Sequence, residues 1–262
     1  MSRWMDYALR FEEGTKNKYF EARASYQTLE KIKIVLKEKS GKMTFLLGEP
    51  GSGKTFLLNK LLNDEELVNR PILFDTPIVN PKTFLQKLLR HLNAKEISDD
   101  IDSLKEQVEN LYAENLTLIM LDEAQLLNEE MLEFIRILSD SKMFWIVLAM
   151  HEKEGKDILA KSHFKSRPHK LIELGKLSKD EAEMFINTQL IFANDQKVLS
   201  FHQKNSDMIY KLCDGNFRYL KKLIYTQFDL LNEAQESDMN EFREPSKCLL
   251  NMAAIEIGLL NV

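Results

Sequence analysis

Residues 48–55 read Gly48-Glu49-Pro50-Gly51-Ser52-Gly53-Lys54-Thr55, which matches the pattern G-x-x-x-x-G-K-[ST] at every fixed position. Glycines at this spacing let a backbone loop close around phosphate oxygens with its N–H groups pointing inward. An apolar run, 44–47, precedes the loop and predicts a buried strand. Residues 54–62 follow it and predict a helix, whose positive N-terminal end would face the same anion. The pattern and its context therefore predict a loop that binds nucleotide phosphates.

Each side chain of this loop has an expected task. We expect Lys54 to reach the β- and γ-phosphates of the nucleotide and Thr55 to place its hydroxyl on Mg²⁺. The residues predicted to bind the nucleotide in this stretch are Gly48, Glu49, Pro50, Gly51, Ser52, Gly53, Lys54, Thr55 and Phe56.

Two adjacent carboxylates, Asp122 and Glu123, follow the uninterrupted apolar run 116–121. Neighbouring residues at a strand end point in different directions, so the two acids can take separate roles. We expect Asp122 to support Mg²⁺ through its water shell and Glu123 to orient and deprotonate an attacking water. A solvated strand end or a helix cap is the alternative interpretation of the pair. The sequence contains no Asn-Lys-x-Asp guanine-reading motif, so ATP and Mg²⁺ are the predicted ligands.

Strand-like and helix-like segments alternate through the first two thirds of the chain. Buried strands are predicted at 44–47, 72–74, 116–121, 144–148 and 171–174, with helical apolar spacing between them. This alternation favours an α/β fold with a doubly wound parallel sheet. Beyond Ser178, which with Glu181 forms a capping box, the pattern is helical throughout. We therefore predict a P-loop domain with an N-terminal linker over 1–175 and a helical lid domain over 176–262, with ATP between them.

Composition limits the function classes. The 262 residues carry a formal net charge of −5, so the surface as a whole does not attract nucleic acid. No apolar run approaches the roughly 20 residues of a membrane-spanning helix, and the N-terminus lacks the apolar core of a signal peptide. The two cysteines are expected to be free thiols in a reducing compartment. Together these features predict a cytoplasmic protein.

The motifs also resemble a known family. The box Asp122-Glu123-Ala124-Gln125, followed by a Leu-Glu-x-x-Arg-x-Leu-Ser helix from Leu132 to Ser139, is similar to the AAA+ ATPases of the general secretion pathway protein A (ExeA-like) type. The transposition ATPases of the MuB and TniB kind are relatives of that type, and the Orc/Cdc6 proteins are more distant ones. The resemblance runs from about residue 18 to the C-terminus. It implies an AAA+ domain with a C-terminal helical lid.

Two arginines enter through this resemblance. Arg167 lies where such proteins carry an arginine that reaches a neighbouring subunit's nucleotide, which implies a homo-oligomer. Arg218, in Gly215-Asn216-Phe217-Arg218, matches a lid box whose arginine senses the γ-phosphate. The chain departs from the family where Ala149-Met150-His151-Glu152 replaces a Gly-Gln-Pro-Glu stretch, and His151 is the candidate for the water-positioning polar residue there. The membrane helix and wall-binding domain of the secretion members do not follow in this sequence.

The resemblance implies ATP hydrolysis coupled to assembly or conformational change in a type II secretion or DNA-uptake complex, with protein partners. Transposition-like DNA transactions are the alternative setting. A basic cluster within 161–170 leaves DNA contact open, beside a solvated face or a subunit contact. Three rival classes are a DEAD-like helicase, which needs a second RecA-like domain, a nucleotide-binding interaction module with little turnover, and a small-molecule kinase.

Overall fold

The computed structural model describes residues 2–12, 22–37, 43–67, 71–113, 116–141, 143–165, 168–191 and 195–261. By their contacts the residues divide into two compact units. One is Ser25–Leu174, and the other combines Met1–Ala24 with Gly175–Val262. Arg167 lies outside the described residues.

Helices occupy much of both units. In chain order they are α1 (Arg3–Leu9), α2 (Arg23–Lys37), α3 (Lys54–Leu62), α4 (Pro81–His91), α5 (Ile101–Tyr112), α6 (Glu129–Asp140), α7 (Glu152–Ala160), α8 (Ser162–Lys165), α9 (Lys179–Leu190), α10 (Gln196–Lys204), α11 (Ser206–Cys213), α12 (Phe217–Glu236) and α13 (Lys247–Glu256). Short 3-10 turns lie at Ala124–Leu126 and Asn240–Phe242.

The α/β unit is built on one parallel sheet. Its strands are β1 (Met43–Gly48), β2 (Ile72–Phe74), β3 (Thr117–Leu121), β4 (Phe144–His151) and β5 (Lys170–Glu173). Their order is β2-β3-β4-β1-β5, and every neighbouring pair is parallel. The predicted α/β fold with a parallel sheet is confirmed. Because β1 lies inside the sheet between β4 and β5, the loop that follows it begins at a central position of the carboxyl edge.

Successive side chains of β1 point to opposite faces of the sheet. Phe45 and Leu47 belong to the apolar core formed with α4, α5 and α6, whereas Leu46 belongs to the core formed with α2 and α3. Helices therefore cover both faces, which is why the strands read as continuous apolar runs instead of alternating ones. Tyr112, at the end of α5, is buried, and its hydroxyl donates a hydrogen bond to the Leu88 carbonyl of α4 at 3.0 Å.

Local capping contacts set two helix starts, and the second of them is the capping box that the sequence predicts. The Asn80 side chain accepts a hydrogen bond from the Thr83 N–H at 2.8 Å, and Pro81 occupies the first turn of α4. At α9 the capping box is complete. The Ser178 hydroxyl accepts from the Glu181 N–H at 3.3 Å, and the Glu181 carboxylate accepts from the Ser178 N–H at 2.7 Å.

The second unit is helical, and the N-terminal helix is part of its core. Trp4, Tyr7 and Phe11 are buried with α9 and α12, and the Trp4 ring stacks on Phe228 of α12 at 6.2 Å between centroids. Deep in the same core, His202 Nδ1 of α10 donates to the Val198 carbonyl at 2.8 Å, and its Nε2 lies 3.0 Å from the Gln227 side-chain amide. Residues 2–11 therefore fold with the C-terminal helices.

None of the helices in the described part of the chain is both long enough and apolar enough to cross a membrane.

Candidate nucleotide-binding site

The loop after β1 has the backbone of an anion cradle. Gly51 and Gly53 have φ angles of 80° and 101°, in the left-handed region that glycine enters without the steric cost of a side chain. A Cβ added at Gly53 would meet no atom within 4 Å, so backbone conformation and not space requires glycine there. At Gly48 space is limited, because a Cβ would lie 2.7 Å from Ser52 Oγ and 3.2 Å from the Leu174 carbonyl oxygen.

Lys54 lies inside this loop with 5% of its surface exposed. Its Nζ donates hydrogen bonds to the Gly48 carbonyl at 2.8 Å and to the Glu49 carbonyl at 3.1 Å. The ammonium is thus fixed beside the loop backbone at the start of α3, where the first helical N–H groups lack intrahelical acceptors. The buried Ser52 Oγ has no hydrogen-bond partner among the described residues. These donors fit a phosphate group.

Thr55 and Asp122 meet across the carboxyl edge of the sheet. Thr55 Oγ1 donates to Asp122 Oδ2 at 2.6 Å, and Asp122 is buried with 4% of its surface exposed. The backbone orients this carboxylate, since Asp122 Oδ1 accepts from the Glu123 N–H at 3.0 Å and the Asp122 N–H donates to the Phe74 carbonyl at 2.9 Å. A hydroxyl and a carboxylate held together are the hard oxygen ligands that Mg²⁺ prefers, so the residues present fit the ion.

Glu123 follows in an unusual backbone conformation. Its φ is 49°, a left-handed value that few residues other than glycine adopt. Its side chain is 39% exposed, and His151 Nε2 lies 3.6 Å from Glu123 Oε2, beyond hydrogen-bond distance. His151 reaches this position because it is paired in register with Gly48 between β4 and β1. The structure thus brings Glu123 and His151 to the same edge as the loop.

The remaining predicted site residues have different positions. Glu49 is half-buried, whereas Pro50 and Phe56 are exposed. Arg218 is an exposed residue of the helical unit, near the start of α12, and its N–H is capped by the Asn216 side chain at 3.0 Å. Gly215 before it has a φ of 66°. The structure describes no position for Arg167.

One neighbour of Glu123 had no assigned role in the sequence interpretation. The Gln125 side chain donates to Glu123 Oε2 and accepts from the His151 N–H at 3.3 Å. The signal was present in the sequence, because Gln125 belongs to the Asp-Glu-Ala-Gln box. Its contact with residue 151 depends on the sheet order, which a linear pattern does not reveal.

The cradle, the buried lysine and the Thr–Asp pair at one sheet edge define a P-loop nucleotide-binding fold. Residues 37–159 match the family model described as AAA domain. The fold of the chain is that of the AAA+ proteins, with a parallel sheet and a helical C-terminal region. The comparison with curated proteins found no match.

Solved structures share this fold at low sequence identity. Cdc6p from Pyrobaculum aerophilum matches with a TM-score of 0.63 and 19% identity, over 87% of this chain and 66% of that one. Drosophila ORC bound to DNA matches with a TM-score of 0.66 and 12% identity, over 98% of this chain and 66% of that one. The RuvB Holliday junction branch migration motor of Thermotoga maritima matches with a TM-score of 0.52 and 18% identity, over 90% of this chain and 67% of that one. This chain therefore spans about two thirds of the length of these structures.

Proposed function

We propose that this protein is a Mg²⁺-dependent ATPase that couples ATP hydrolysis to conformational or assembly changes in a macromolecular complex. The observation that carries the proposal is the meeting of Thr55 and Asp122 at 2.6 Å, with Lys54 fixed in the loop on one side and Glu123 following on the other. The match of residues 37–159 to the AAA domain supports the same function.

Each residue has a definite task in this proposal. The Lys54 ammonium and the loop N–H groups bind the β- and γ-phosphates, and they compensate negative charge during phosphoryl transfer. Thr55 and Asp122 would hold Mg²⁺, which would supply Lewis-acid polarisation of the terminal phosphoryl group. Glu123 orients the attacking water and accepts its proton. The absence of an Asn-Lys-x-Asp motif supports adenine as the base.

The test of hydrolysis compares nucleotide binding with steady-state phosphate release in the wild type, Lys54→Ala and Glu123→Gln. We expect Lys54→Ala to lose ATP binding, because a buried cation of the cradle is removed. Glu123→Gln keeps the shape of the side chain, so it should bind ATP and hydrolyse it at least about 100-fold more slowly. Equal turnover in the wild type and Glu123→Gln would remove Glu123 from the mechanism. Tight ATP binding without turnover in the wild type would favour the nucleotide-dependent interaction module.

We also propose that the active form is a homo-oligomer in which Arg167 completes the site of a neighbouring subunit. Glu123→Gln and Arg167→Ala should each be inactive alone. Mixing the two variants should restore part of the activity, because some sites then combine an intact Glu123 with the partner's Arg167. No recovery in oligomers shown to contain both variants would contradict the trans role. Arg218 is proposed to sense the γ-phosphate, so Arg218→Ala should bind ATP and ADP with more nearly equal affinity.

The biological setting we propose first is a type II secretion or DNA-uptake complex, on the resemblance of the Asp-Glu-Ala-Gln box and its following helix. The alternative is a DNA transaction of the transposition kind. That alternative is favoured by the shared fold with Drosophila ORC bound to DNA and with the RuvB branch migration motor. Phosphate release with and without double-stranded DNA separates the two. Stimulation by DNA that Glu123→Gln abolishes supports the DNA transaction, and indifference to DNA supports a protein partner in secretion or uptake.

A further inference from the structure

Gln125 links the ends of two neighbouring strands at the proposed catalytic edge. It lies in the 3-10 turn Ala124–Leu126, which directly follows the acidic pair at the end of β3. Its amide contacts the Glu123 carboxylate on one side and the His151 backbone N–H, at the end of β4, on the other. The turn itself is anchored, because Ala124 within it and Leu127 directly after it are buried. Gln125 is therefore a fixed group between two strand ends.

The partners determine which way the amide points. A backbone N–H can only donate, so the atom that faces His151 at 3.3 Å must be the carbonyl Oε1. The amino group Nε2 then faces Glu123 Oε2, which as a carboxylate oxygen accepts. The network leaves one consistent orientation of the amide, and in it Gln125 is a donor to Glu123. A hydrogen bond to an ionised acceptor is about twice as strong as one between neutral groups.

Glu123 needs such an anchor. Its side chain is 39% exposed, and it extends from a left-handed backbone with a φ of 49°. The bond from Gln125 holds one carboxylate oxygen, Oε2, on the side of His151. The other oxygen, Oε1, has no hydrogen bond among the described residues, so it is available to a water.

We propose that Gln125 is a positioning residue for Glu123: it holds Oε2 so that Oε1 faces the attacking water. The inference rests on the proposed ATPase function and adds a residue to it. Misplacement of a catalytic base by about 1 Å can cost up to about 100-fold in rate. Loss of the anchor should therefore lower kcat while leaving the affinity for ATP unchanged, since among the described residues Gln125 makes no hydrogen bond to the loop or to Asp122.

Two substitutions separate positioning from mere packing. Gln125→Glu keeps the size of the side chain and the acceptor for the His151 N–H, but it replaces the donor to Glu123 with a carboxylate. Gln125→Leu removes both hydrogen bonds at similar volume. Gln86→Leu is the matched control, because Gln86 is a half-buried residue of α4 in the same unit. Steady-state kcat and KM for ATP, ATP binding in the presence of Mg²⁺ and thermal unfolding are measured for each variant and for Glu123→Gln.

We expect both Gln125 variants to lose about tenfold or more in kcat, with KM and ATP binding within about twofold of the wild type and Gln86→Leu. Wild-type kcat in Gln125→Glu would overturn the inference, because the bond to Glu123 would then be dispensable. A fall in ATP binding that matches the fall in kcat would also overturn it, since Gln125 would then support the loop. Absence of turnover in the wild type, or equal turnover in Glu123→Gln, would instead refute the proposed function itself.

Discussion

Asp122→Asn tests the metal-binding role of the Thr–Asp pair by separating the charge of the side chain from its shape. Asp122 Oδ1 accepts from the Glu123 N–H, which can only donate, so the asparagine oxygen must take that position. The amide nitrogen then faces Thr55 Oγ1, 2.6 Å from the present Oδ2, and the hydroxyl can accept from it. Both hydrogen bonds survive the substitution. We therefore expect the free energy of unfolding of the ligand-free protein to change by less than about 1 kcal/mol.

The loss appears only when Mg²⁺ and ATP are added. Asp122 is expected to support Mg²⁺ through the water shell of the ion, and replacement of such an outer-shell group typically lowers metal affinity about 10- to 100-fold. At a ligand concentration of about 100 times the wild-type Kd, binding raises the free energy of unfolding of the wild type by about 2.7 kcal/mol. For a variant whose affinity is 10- to 100-fold weaker, the same concentration raises it by about 1.4 to 0.4 kcal/mol. Since 1 kcal/mol shifts the Tm of a chain of this size by about 2–4 °C, the rise in Tm should fall from about 5–11 °C to about 1–6 °C.

The assay is thermal unfolding of the wild type and Asp122→Asn without ligand, with ATP and EDTA, and with ATP and Mg²⁺. Asp157→Asn is the matched control, because Asp157 is an exposed carboxylate of α7 in the same unit, and it should behave as the wild type. A full rise in Tm for Asp122→Asn with ATP and Mg²⁺ would refute the metal-binding role. A wild-type rise that is the same with EDTA would refute Mg²⁺ dependence.

Three further predictions concern the helical unit. Gly215→Ala should destabilise it by about 2–4 kcal/mol in urea unfolding, because φ is 66° and an added Cβ would lie 2.6 Å from the Leu177 carbonyl. Trp4→Ala should cost about 3–5 kcal/mol by the same measurement, since the ring is buried. Burial lowers the pKa of His202 below 6.5, so the unfolded chain takes up the proton first as pH falls. Stability should then decrease below about pH 6.5, by up to about 1.4 kcal/mol per pH unit, and His202→Gln should flatten this slope; an unchanged slope would contradict the assignment.

Local signals in the sequence were sufficient for most elements of the α/β unit. The helix over 54–62 and the strand over 72–74 have the predicted bounds. The helix start at Ser178 has the predicted capping box. These features depend on contacts between residues a few positions apart, or on an apolar run that any buried strand requires, so a linear pattern contains them. The glycines of the phosphate loop belong to the same class, because a left-handed backbone angle favours glycine at that one position whatever the rest of the chain does.

Tertiary structure decided the rest. The order β2-β3-β4-β1-β5 brings residue 151 beside residues 123 and 125, and no pattern within the strands specifies which strands become neighbours. The N-terminal helix packs in the helical core because Trp4 finds Phe228 there, although the two are more than 200 positions apart. An apolar side chain indicates that it will be buried, but it does not indicate which residues it will pack against, since the hydrophobic effect is not directional. The sequence by itself therefore specified the chemistry of the site, and packing selected the neighbours that hold it in place.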